Sequence, residues 1–534
     1  MNFTIENNIL KGAKKPISED RKLGQVIWNV LNKSPDHVAQ IDAETGEQTT
    51  FSQMKDRSIC CAVWMKELAI RPGDVVVAVT HNHLDCYLPV FATFFVDAVF
   101  NAWNQNITLF SARRFIKMFT PKLIFASEKV IDVLIEAATL ENLKVHFVVF
   151  GKHSNVQSLN EILNEQTKEE IDKFTVVDER SAQDVAAIML SSGTTGFPKG
   201  VMLSHRSILM ANVSNQGRKI STYLWYSTLD WVSCISFMFQ TLLKYSTRII
   251  SLRIDLESLF QTIEKYKVNF AFVPPILVNY IAKCDIVENY DLQSLKIFVV
   301  GGCKLTRQVL DAVQQKFPTV FIHNGYGSTE TGGGVSYKTA EMSKNVDSIG
   351  FVTTNCQIKF VDLTSGQALG SNQQGEVCIK TPNITLGYYK DPEATKQAFD
   401  EDGWYHTGDI GYYNEAGEIF IVDRIKEIIK YRNSQISPAE IEEVLLSHPE
   451  VREAAVVGIP RELDGDWPVA FVKKLPSSRL SEDDLFKLTS ILEDYKKLRG
   501  GIYFLDDLPR TGSGKIAKKE LKQLAQNLIN QKSF

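Results

Sequence analysis

Short runs of β-branched and aromatic residues recur along this sequence between stretches with helical periodicity, and this alternation constrains the fold most. Examples are DVVVAVT at 74–80, HFVVFG at 146–151, FAFVPP at 270–275 and KIFVVGG at 296–302. Continuous apolar strands that alternate with helices are typical of partly parallel sheets buried on both faces. The chain is therefore predicted to be an α/β protein.

The pattern changes beyond about residue 350. GEVCIKT, GDIGYYN and GEIFIVD are strand-like segments separated by turn residues, which predicts a small β-barrel-like subdomain. A charged segment begins at Arg424, and a helix is predicted from Pro438 to about Ser447. We therefore expect a large N-terminal domain of α/β subdomains plus the barrel-like subdomain at 1–424. A small α+β C-terminal domain at 425–534 would be hinged to it.

Composition and charge exclude several other classes of protein. A chain of 534 residues is too long for one hydrophobic core, and its net charge of −4 gives no basic surface for nucleic acid. The eight cysteines form no CxxC pair. They indicate reduced intracellular thiols rather than a disulfide scaffold or a zinc site.

No membrane span or targeting segment is predicted. The most apolar run, residues 86–103, contains Pro89, Asp97 and Asn101, so a buried helix is expected there instead of a transmembrane segment. The first residues lack an apolar signal core. The chain ends in Lys-Ser-Phe at 532–534, which is not the standard peroxisomal signal. We expect a cytoplasmic protein, acting as a monomer.

A loop rich in glycine and hydroxyl side chains follows the apolar strand AAIML. Its spacing differs from that of a P-loop, because Pro198 precedes Lys199 and no G-K-[ST] is present. Glycine N–H groups and hydroxyls can hold phosphate oxygens, and a lysine adds a mobile positive charge. A flexible surface turn would also explain the loop taken alone. The residues of interest are Ser191, Ser192, Gly193, Thr194, Thr195, Gly196 and Lys199.

This loop resembles, at each fixed position, the [ST]SG[ST]TG.PKG loop of adenylate-forming enzymes, which include acyl-CoA synthetases, 4-coumarate:CoA ligases and insect luciferases. Three further segments resemble that family's motifs in the same order: HNGYGSTETGG, WYHTGD with the following DRIK, and PRTGSGK. The resemblance runs over roughly residues 25 to 525. It implies an enzyme that uses ATP, Mg²⁺ and coenzyme A on a small carboxylic acid.

The resemblance also implies which residues bind the nucleotide. Tyr326 would stack on adenine, Thr329 would touch the α-phosphate region, Asp409 would accept hydrogen bonds from the ribose hydroxyls, and Arg424 would support ribose and phosphate. Gly301, with Gly302, would line the adenine and acyl slot. The other implied nucleotide-binding positions are Ser191, Ser192, Gly193, Thr194, Thr195, Gly196, Lys199, Gly325, Gly327 and Lys515.

The implied reaction has two steps. The carboxylate attacks the α-phosphate of ATP and pyrophosphate leaves, helped by Lys515, Thr195 and a Mg²⁺ ion on Glu330. The small domain then turns about Lys426 and brings Lys430 to a tunnel for coenzyme A, whose thiol displaces AMP. Two anions must be held together and neutralised, which is mainly a task of positioning and charge.

Departures from the family pattern leave the acid and the second step open. Asn433 replaces a glycine of the tunnel segment, and no histidine pair of the firefly type is present at Ser233–Cys234. An apolar pocket would take a medium to long apolar acid or an aromatic one, although core packing explains the same residues equally well. The residues concerned are Trp231, Phe237, Met238 and Phe239.

An acyl-CoA synthetase is the first hypothesis for the function. The alternative is a luciferase-type monooxygenase acting on a luciferyl-adenylate, because it shares all four motifs. Retention of the charged residues argues against a catalytically silent binding protein. The lack of an attached carrier domain argues against an adenylation domain that loads a carrier protein.

Overall fold

The structure is a computed structural model, and its strands and helices are numbered in chain order. It describes residues 3–16, 21–191, 198–213, 220–302, 305, 307–338, 345, 347–431, 434–461, 465–492, 494–511 and 514–532. The strands are β1 Phe3–Glu6, β2 Ile9–Gly12, β3 Val38–Asp42, β4 Gln48–Thr50, β5 Val75–Val79, β6 Val99–Ala102, β7 Leu123–Ser127, β8 His146–Phe150, β9 Val185–Ser191, β10 Lys199–Ser204, β11 Thr222–Trp225, β12 Thr247–Ile250, β13 Phe270–Val273, β14 Ile297–Gly301, β15 Phe321–Gly325, β16 Gly327–Ser328, β17 Gly333–Gly334, β18 Ser336–Tyr337, β19 Phe351–Val352, β20 Gln357–Val361, β21 Gly375–Lys380, β22 Tyr405–Tyr413, β23 Ile419–Arg424, β24 Ile429–Tyr431, β25 Ser434–Ile436, β26 Val451–Arg461, β27 Gly465–Lys474 and β28 Ile502–Phe504.

Helices lie between most of these strands. The α-helices are α1 Leu23–Lys33, α2 Phe51–Glu67, α3 Leu88–Phe95, α4 Leu109–Phe119, α5 Ile131–Leu140, α6 Leu159–Glu165, α7 Lys168–Lys173, α8 His205–Val213, α9 Val232–Leu243, α10 Leu256–Tyr266, α11 Pro275–Lys283, α12 Arg307–Lys316, α13 Pro392–Ala398, α14 Pro438–Leu446, α15 Glu482–Thr489 and α16 Lys518–Lys532.

Two mostly parallel sheets form the greater part of the fold, as the alternating apolar runs predicted. Sheet I has the order β10-β9-β6-β5-β7-β8, and sheet II has the order β15-β14-β13-β11-β12-β3-β4. Alternate residues of β5, such as Val76 and Val77, enter two different apolar clusters on opposite faces of sheet I. This burial on both faces is why these strands are apolar throughout.

Sheet III is antiparallel and has the order β1-β2-β20-β21-β22-β23. The β-rich segment predicted beyond residue 350 supplies four of its six strands. The predicted barrel-like shape is wrong, because the end strands β1 and β23 do not pair with each other among the residues described here. The sheet is therefore open.

A fourth sheet, sheet IV, follows in the last part of the chain. It consists of β24 to β28, with α14 and α15 on one apolar face and α16 on the other. Helix α14 spans Pro438–Leu446, as the sequence predicted. The division of the chain after residue 424 stays a prediction.

The apolar run at 86–103 lies in the core of the protein. It forms α3, whose residues are all buried, and then β6 of sheet I. Its proline lies at the start of the helix, where a missing N–H is tolerated. Within the described ranges, no helix combines the length and the apolarity that a membrane span needs.

The described cysteines carry free thiols, as their scatter along the sequence predicted. Burial raises the pKa of Cys234 and of Cys356 to about 12. Cys284, after α11, is partly exposed, whereas the other described thiols are buried.

Candidate active site

The carboxyl ends of two neighbouring parallel strands mark the candidate site. Strands β14 and β15 pair Gly301 with Gly325, at the edge where α/β proteins usually bind their ligands. Tyr326 follows Gly325 and donates a hydrogen bond from its hydroxyl to Oδ2 of Asp409, at 2.6 Å. This bond joins the edge of sheet II to β22 of sheet III.

Asp409 is the centre of this group. Its partner across β22 and β23 is Arg424, whose Nε lies 3.2 Å from Oδ1 of Asp409. Burial raises the pKa of Asp409, and the charges of Arg424 and Lys515 and the Tyr326 hydroxyl act against that rise. A carboxylate that is buried and held at both oxygens has a fixed orientation, which suits the recognition of hydroxyl groups.

A second group surrounds Glu330. This carboxylate is buried, and its Oε1 accepts a hydrogen bond from the Tyr388 hydroxyl at 3.0 Å. The Nζ of Lys199 lies 4.7 Å from the centre of the Tyr388 ring, within the range of a cation–π contact. Burial and the charge of Glu330 raise the pKa of Tyr388, so its hydroxyl keeps its proton and remains a donor.

Lys515 reaches the same region from the C-terminal part of the chain. Its Cε lies 3.7 Å from where a Cβ would stand on Gly302, the residue that follows β14. Gly302 has a φ of +91°, which disfavours other residues there. The backbone carbonyl of Lys515 accepts a hydrogen bond from the N–H of Thr511 at 2.8 Å, which closes a tight turn around the lysine.

Contacts between α11 and the start of β26 accompany this placement of Lys515. The Nζ of Lys283 donates to the backbone carbonyl of Val451. The guanidinium of Arg452 lies over the Tyr280 ring, with its Cζ 4.3 Å from the ring centre. These contacts hold sheet IV against the domain that carries Gly302.

The remaining predicted positions are only partly visible. Ser191 ends β9 and pairs with Lys199 of β10, and Gly327 begins the short strand β16. Thr329 lies in the turn between β16 and β17, where its carbonyl accepts a hydrogen bond from the N–H of Gly332. Lys430 lies in β24, but its predicted side-chain contact falls outside the described part of the chain. Six further predicted positions lie entirely outside the described residues: Ser192, Gly193, Thr194, Thr195, Gly196 and Asn433.

An aromatic surface lies beside Gly301, on the face of sheet II that α9 covers. A Cβ on Gly301 would lie only 3.3 Å from Cε2 of Phe272. The ring centre of Phe272 is 4.9 Å from that of Phe237 on α9, and Val299 packs against the same cluster. At Gly301 the backbone therefore lies directly against an aromatic ring, with no side chain between them.

The sequence left open whether the aromatic and sulfur-containing residues of α9 line a pocket or pack in the core. The structure gives different answers for different residues of this helix. Met238 and Phe239 are buried in the large core on the side of sheet I. Phe237 faces sheet II, and the Oγ of Ser236 lies 3.5 Å from where a Cβ would stand on Gly333. Trp231 precedes the helix and is partly buried. Core packing is thus correct for Met238 and Phe239, while Phe237 lies on the side of the candidate site.

The sequence did not indicate three residues that the structure places at the site. Tyr388 meets Glu330 from 58 positions away, and no short motif signals such a contact. Glu376 and His406 form a pair that supports the segment carrying Asp409. His406 belongs to the WYHTGD motif, but the motif does not indicate what this histidine contacts.

Similarity to known proteins agrees with this geometry. The AMP-binding enzyme family matches residues 27–389, and the AMP-binding enzyme C-terminal domain matches residues 440–515. The 4-coumarate–CoA ligase 3 of Oryza sativa subsp. japonica is 34% identical over 90% of this chain and 88% of its own.

Two solved structures are also similar. The luciferase-like enzyme from the nonluminescent Zophobas morio mealworm has a TM-score of 0.74 and 28% identity over 79% of this chain and 99% of its own. ATP-bound MatB from Rhodopseudomonas palustris has a TM-score of 0.85 and 22% identity over 95% of this chain and 99% of its own. The MatB likeness bears on the fold alone.

The four motifs, the grouping of their described residues at one sheet edge, and these matches agree. The chain belongs to the AMP-binding enzyme family, the AMP-forming acid–thiol ligases that use ATP, Mg²⁺ and coenzyme A.

Proposed function

We propose that this protein converts an aromatic carboxylic acid to its coenzyme A thioester through an acyl-adenylate. The aromatic surface of Phe272 and Phe237 beside Gly301 carries the proposal, because aromatic rings tilted to each other offer edge-to-face and offset contacts to a further planar ring. Relatives named 4-coumarate–CoA ligases support the same class of acid. A fatty acid is the second candidate, since the same surface is apolar.

Asp409 and Arg424 bind the ribose of ATP. Tyr326 and Arg424 hold the Asp409 carboxylate, and its remaining lone pairs accept hydrogen bonds from the two ribose hydroxyls. Tyr326 presents its ring next to this carboxylate and stacks on the adenine. Gly301 and Gly325 leave room for the base at the strand ends.

Glu330 fits the Mg²⁺ that the family uses. It is a buried hard oxygen donor with one oxygen held by Tyr388, and one protein carboxylate suits an ion that also takes phosphate oxygens and water. When bound, the ion neutralises negative charge on the leaving pyrophosphate. Lys199 adds positive charge on the other side of the Tyr388 ring.

Lys515 serves the first step. Its side chain lies beside Gly302, which supports a role for its ammonium group at the point where the acid carboxylate and the α-phosphate meet. An oxygen of the acid forms a bond to the α-phosphorus, and the bond to the bridging oxygen of pyrophosphate breaks. Preorganised charge at this point stabilises the transition state.

The second step needs a different arrangement of the same chain. After pyrophosphate leaves, residues 425–534 turn about Lys426 as a domain, withdraw Lys515 and present Lys430. The thiol of coenzyme A then attacks the acyl carbon and AMP leaves. The separate apolar clusters of sheet IV support this domain division. Both steps use residues of one chain, which supports a monomer, and the free thiols support a cytoplasmic location.

A panel of acids tests the proposal. The protein, ATP, Mg²⁺ and coenzyme A are incubated with 4-coumarate, cinnamate, benzoate, dodecanoate or acetate, and both pyrophosphate and thioester are measured. The highest kcat/KM is expected for an aromatic acid, and Phe272→Ala should lower it for that acid more than for dodecanoate. A preference for dodecanoate or acetate would contradict the aromatic class. Light with pyrophosphate but no thioester would favour the luciferase alternative.

A further inference from the structure

Asp409 stands on an irregular segment of sheet III. Across β21 and β22, Glu376 pairs with Ile410 and Cys378 pairs with His406. Three residues, 407–409, therefore lie opposite Val377 alone, and the segment bulges out of the sheet. Bulges commonly turn a side chain toward an active site. On its β23 side the segment keeps its partner, because Asp409 pairs with Arg424, but on its β21 side the regular ladder of hydrogen bonds is interrupted and other contacts must fix its shape.

The Glu376 carboxylate spans the bulge. Its Oε1 accepts a hydrogen bond from the N–H of Gly408 at 3.1 Å, and its Oε2 lies 2.8 Å from Nδ1 of His406. Thr407 completes the support, because its hydroxyl donates to the carbonyl of Val377 and accepts from the N–H of Asp409. The carboxylate thus joins the residue before the bulge to the backbone within it, next to Asp409.

The surroundings make Glu376 and His406 an ion pair. The Cys378 sulfur, 3.5 Å from Nδ1, and the Glu376 carboxylate raise the pKa of His406 to about 10. On its other side, Nε2 of His406 faces Asp400 at 3.7 Å. Both ring nitrogens of His406 therefore face carboxylate oxygens, Nδ1 that of Glu376 and Nε2 that of Asp400.

We propose that Glu376 and His406 are positioning residues for the first half-reaction: they hold the 407–409 bulge so that Asp409 meets the nucleotide. The inference rests on the proposed role of Asp409 in binding ribose. The pair should affect the binding of ATP but not the binding of the acid, because it contacts the bulge and not the aromatic surface beside Gly301.

A metal site is the competing interpretation of the same residues, since Glu376, Cys378 and His406 bring three ligand types together. The distances favour the ion pair. Two ligands of a tetrahedral zinc ion, each about 2.1 Å from the metal, lie roughly 3.4 Å apart. The 2.8 Å between Oε2 of Glu376 and Nδ1 of His406 is instead that of a charged hydrogen bond.

The test compares ATP binding and acid kinetics in matched variants of the full chain. Glu376→Gln places an amide donor against the His406 N–H, and Glu376→Asp keeps the charge but is too short to span the bulge. Each should weaken ATP binding, measured by calorimetry with Mg²⁺, by about tenfold or more, with the KM for the acid unchanged. His406→Leu should act likewise, whereas His406→Asn retains a donor near Nδ1 and should restore most of the affinity.

Glu418→Gln is the control. Glu418 is a partly buried glutamate at the opposite end of the β22–β23 hairpin, where it accepts a hydrogen bond from Asn414, and its variant should bind ATP normally. Unchanged ATP affinity in folded Glu376 and His406 variants would overturn the inference, as would an equal rise in both KM values. Stoichiometric zinc whose removal weakens ATP binding would establish the metal site instead. If Asp409→Asn itself leaves ATP binding intact, the proposed nucleotide role fails first.

Discussion

At the scale of single residues, the site depends on carboxylates whose oxygens are held from more than one side. Asp409 has Tyr326 at one oxygen and Arg424 at the other, and Glu330 is held by Tyr388. A buried carboxylate without such partners would prefer to be protonated. The neighbouring donors therefore hold both groups in one orientation, and at Asp409 they also act against the rise in pKa that burial causes.

Asp409→Asn removes the charge that Arg424 faces and one acceptor. We expect ATP binding to weaken roughly 10- to 100-fold, because hydrogen bonds to charged groups are worth about 1.5–3 kcal/mol. Calorimetry with ATP and Mg²⁺ in the absence of acid measures this directly. Tyr326→Phe, which removes a single donor, should have a smaller effect; an equal or larger one would show that Tyr326 does more than orient Asp409.

Sequence motifs identified many of the residues at the site but not their supports. Asp409, Glu330 and Lys515 stand within recognisable motifs. The structure brings Asp409 to Tyr326 and Lys515 to Gly302, the residues that follow β15 and β14, and it places Glu330 in the turn after β16. Tyr388 and Glu376 could not be found in this way, because their roles come from contacts between distant segments. A motif records the residues that meet a ligand, whereas a supporting contact depends on how the strands pair.

At the scale of elements, the sequence predicted strands better than the shape of sheets. The apolar runs at 74–80, 146–151, 270–275 and 296–302 each contain one strand. The clearest is β5, because burial on both faces demands apolar residues at every position. The closure of sheet III could not be read in this way. Whether a sheet closes depends on twist and on which strands meet at its edges, and the alternation of residues records neither.

Helix α9 provides a prediction at this scale, because its two faces serve different purposes. Phe239 is fully buried in the core, so Phe239→Ala should lower the free energy of unfolding by about 3–5 kcal/mol. Its acid preference should stay that of the wild type. Phe237→Ala also removes a buried ring and should lower the free energy of unfolding, but it should in addition change the relative kcat/KM for aromatic and aliphatic acids. Urea unfolding and the acid panel separate the two, and an altered acid preference in Phe239→Ala would contradict this division of the helix.

At the scale of the whole molecule, the structure shows one of the two arrangements that the proposed reaction needs. Lys515 lies beside Gly302, and Tyr280 and Lys283 of α11 hold the start of β26. In the proposed reaction, this is the arrangement that makes the adenylate. The second arrangement must break those contacts, so they have to be strong enough to place Lys515 and weak enough to release it.

The two half-reactions should respond to different lysines. Lys515→Ala should slow thioester formation from free acid and ATP by about 10²–10³-fold, because one preorganised charge is lost where the phosphate reacts. It should largely spare thioester formation from a supplied acyl-adenylate and coenzyme A. Lys430→Ala should show the reverse, with pyrophosphate release preserved. Equal loss of both half-reactions in both folded variants would rule out the rotation.

The stability of the fold should depend on pH through two partly buried histidines. Burial lowers the pKa of His83 to about 3 and that of His323 to about 4, so the folded protein resists protonating them. A depressed histidine pKa gives stability that is present above about pH 6.5 and is lost as pH falls toward the folded pKa. The free energy of unfolding should therefore decrease from pH 7 to pH 4.5. His83→Asn should show a smaller decrease; an identical slope would assign the effect to other groups.

The buried cysteines have a consequence for an enzyme that makes thioesters. An acyl-adenylate reacts with any accessible thiolate, so cysteines near its surface would compete with coenzyme A and become acylated themselves. Burial raises the pKa of Cys234 and of Cys356 to about 12, so both remain protonated thiols at neutral pH. Four further cysteines are also buried: Cys60, Cys61, Cys86 and Cys378. Only Cys284 among the described thiols is partly exposed, after α11. By withholding the sulfur of these six buried cysteines, the protein limits their competition with the incoming cofactor for the activated acyl group.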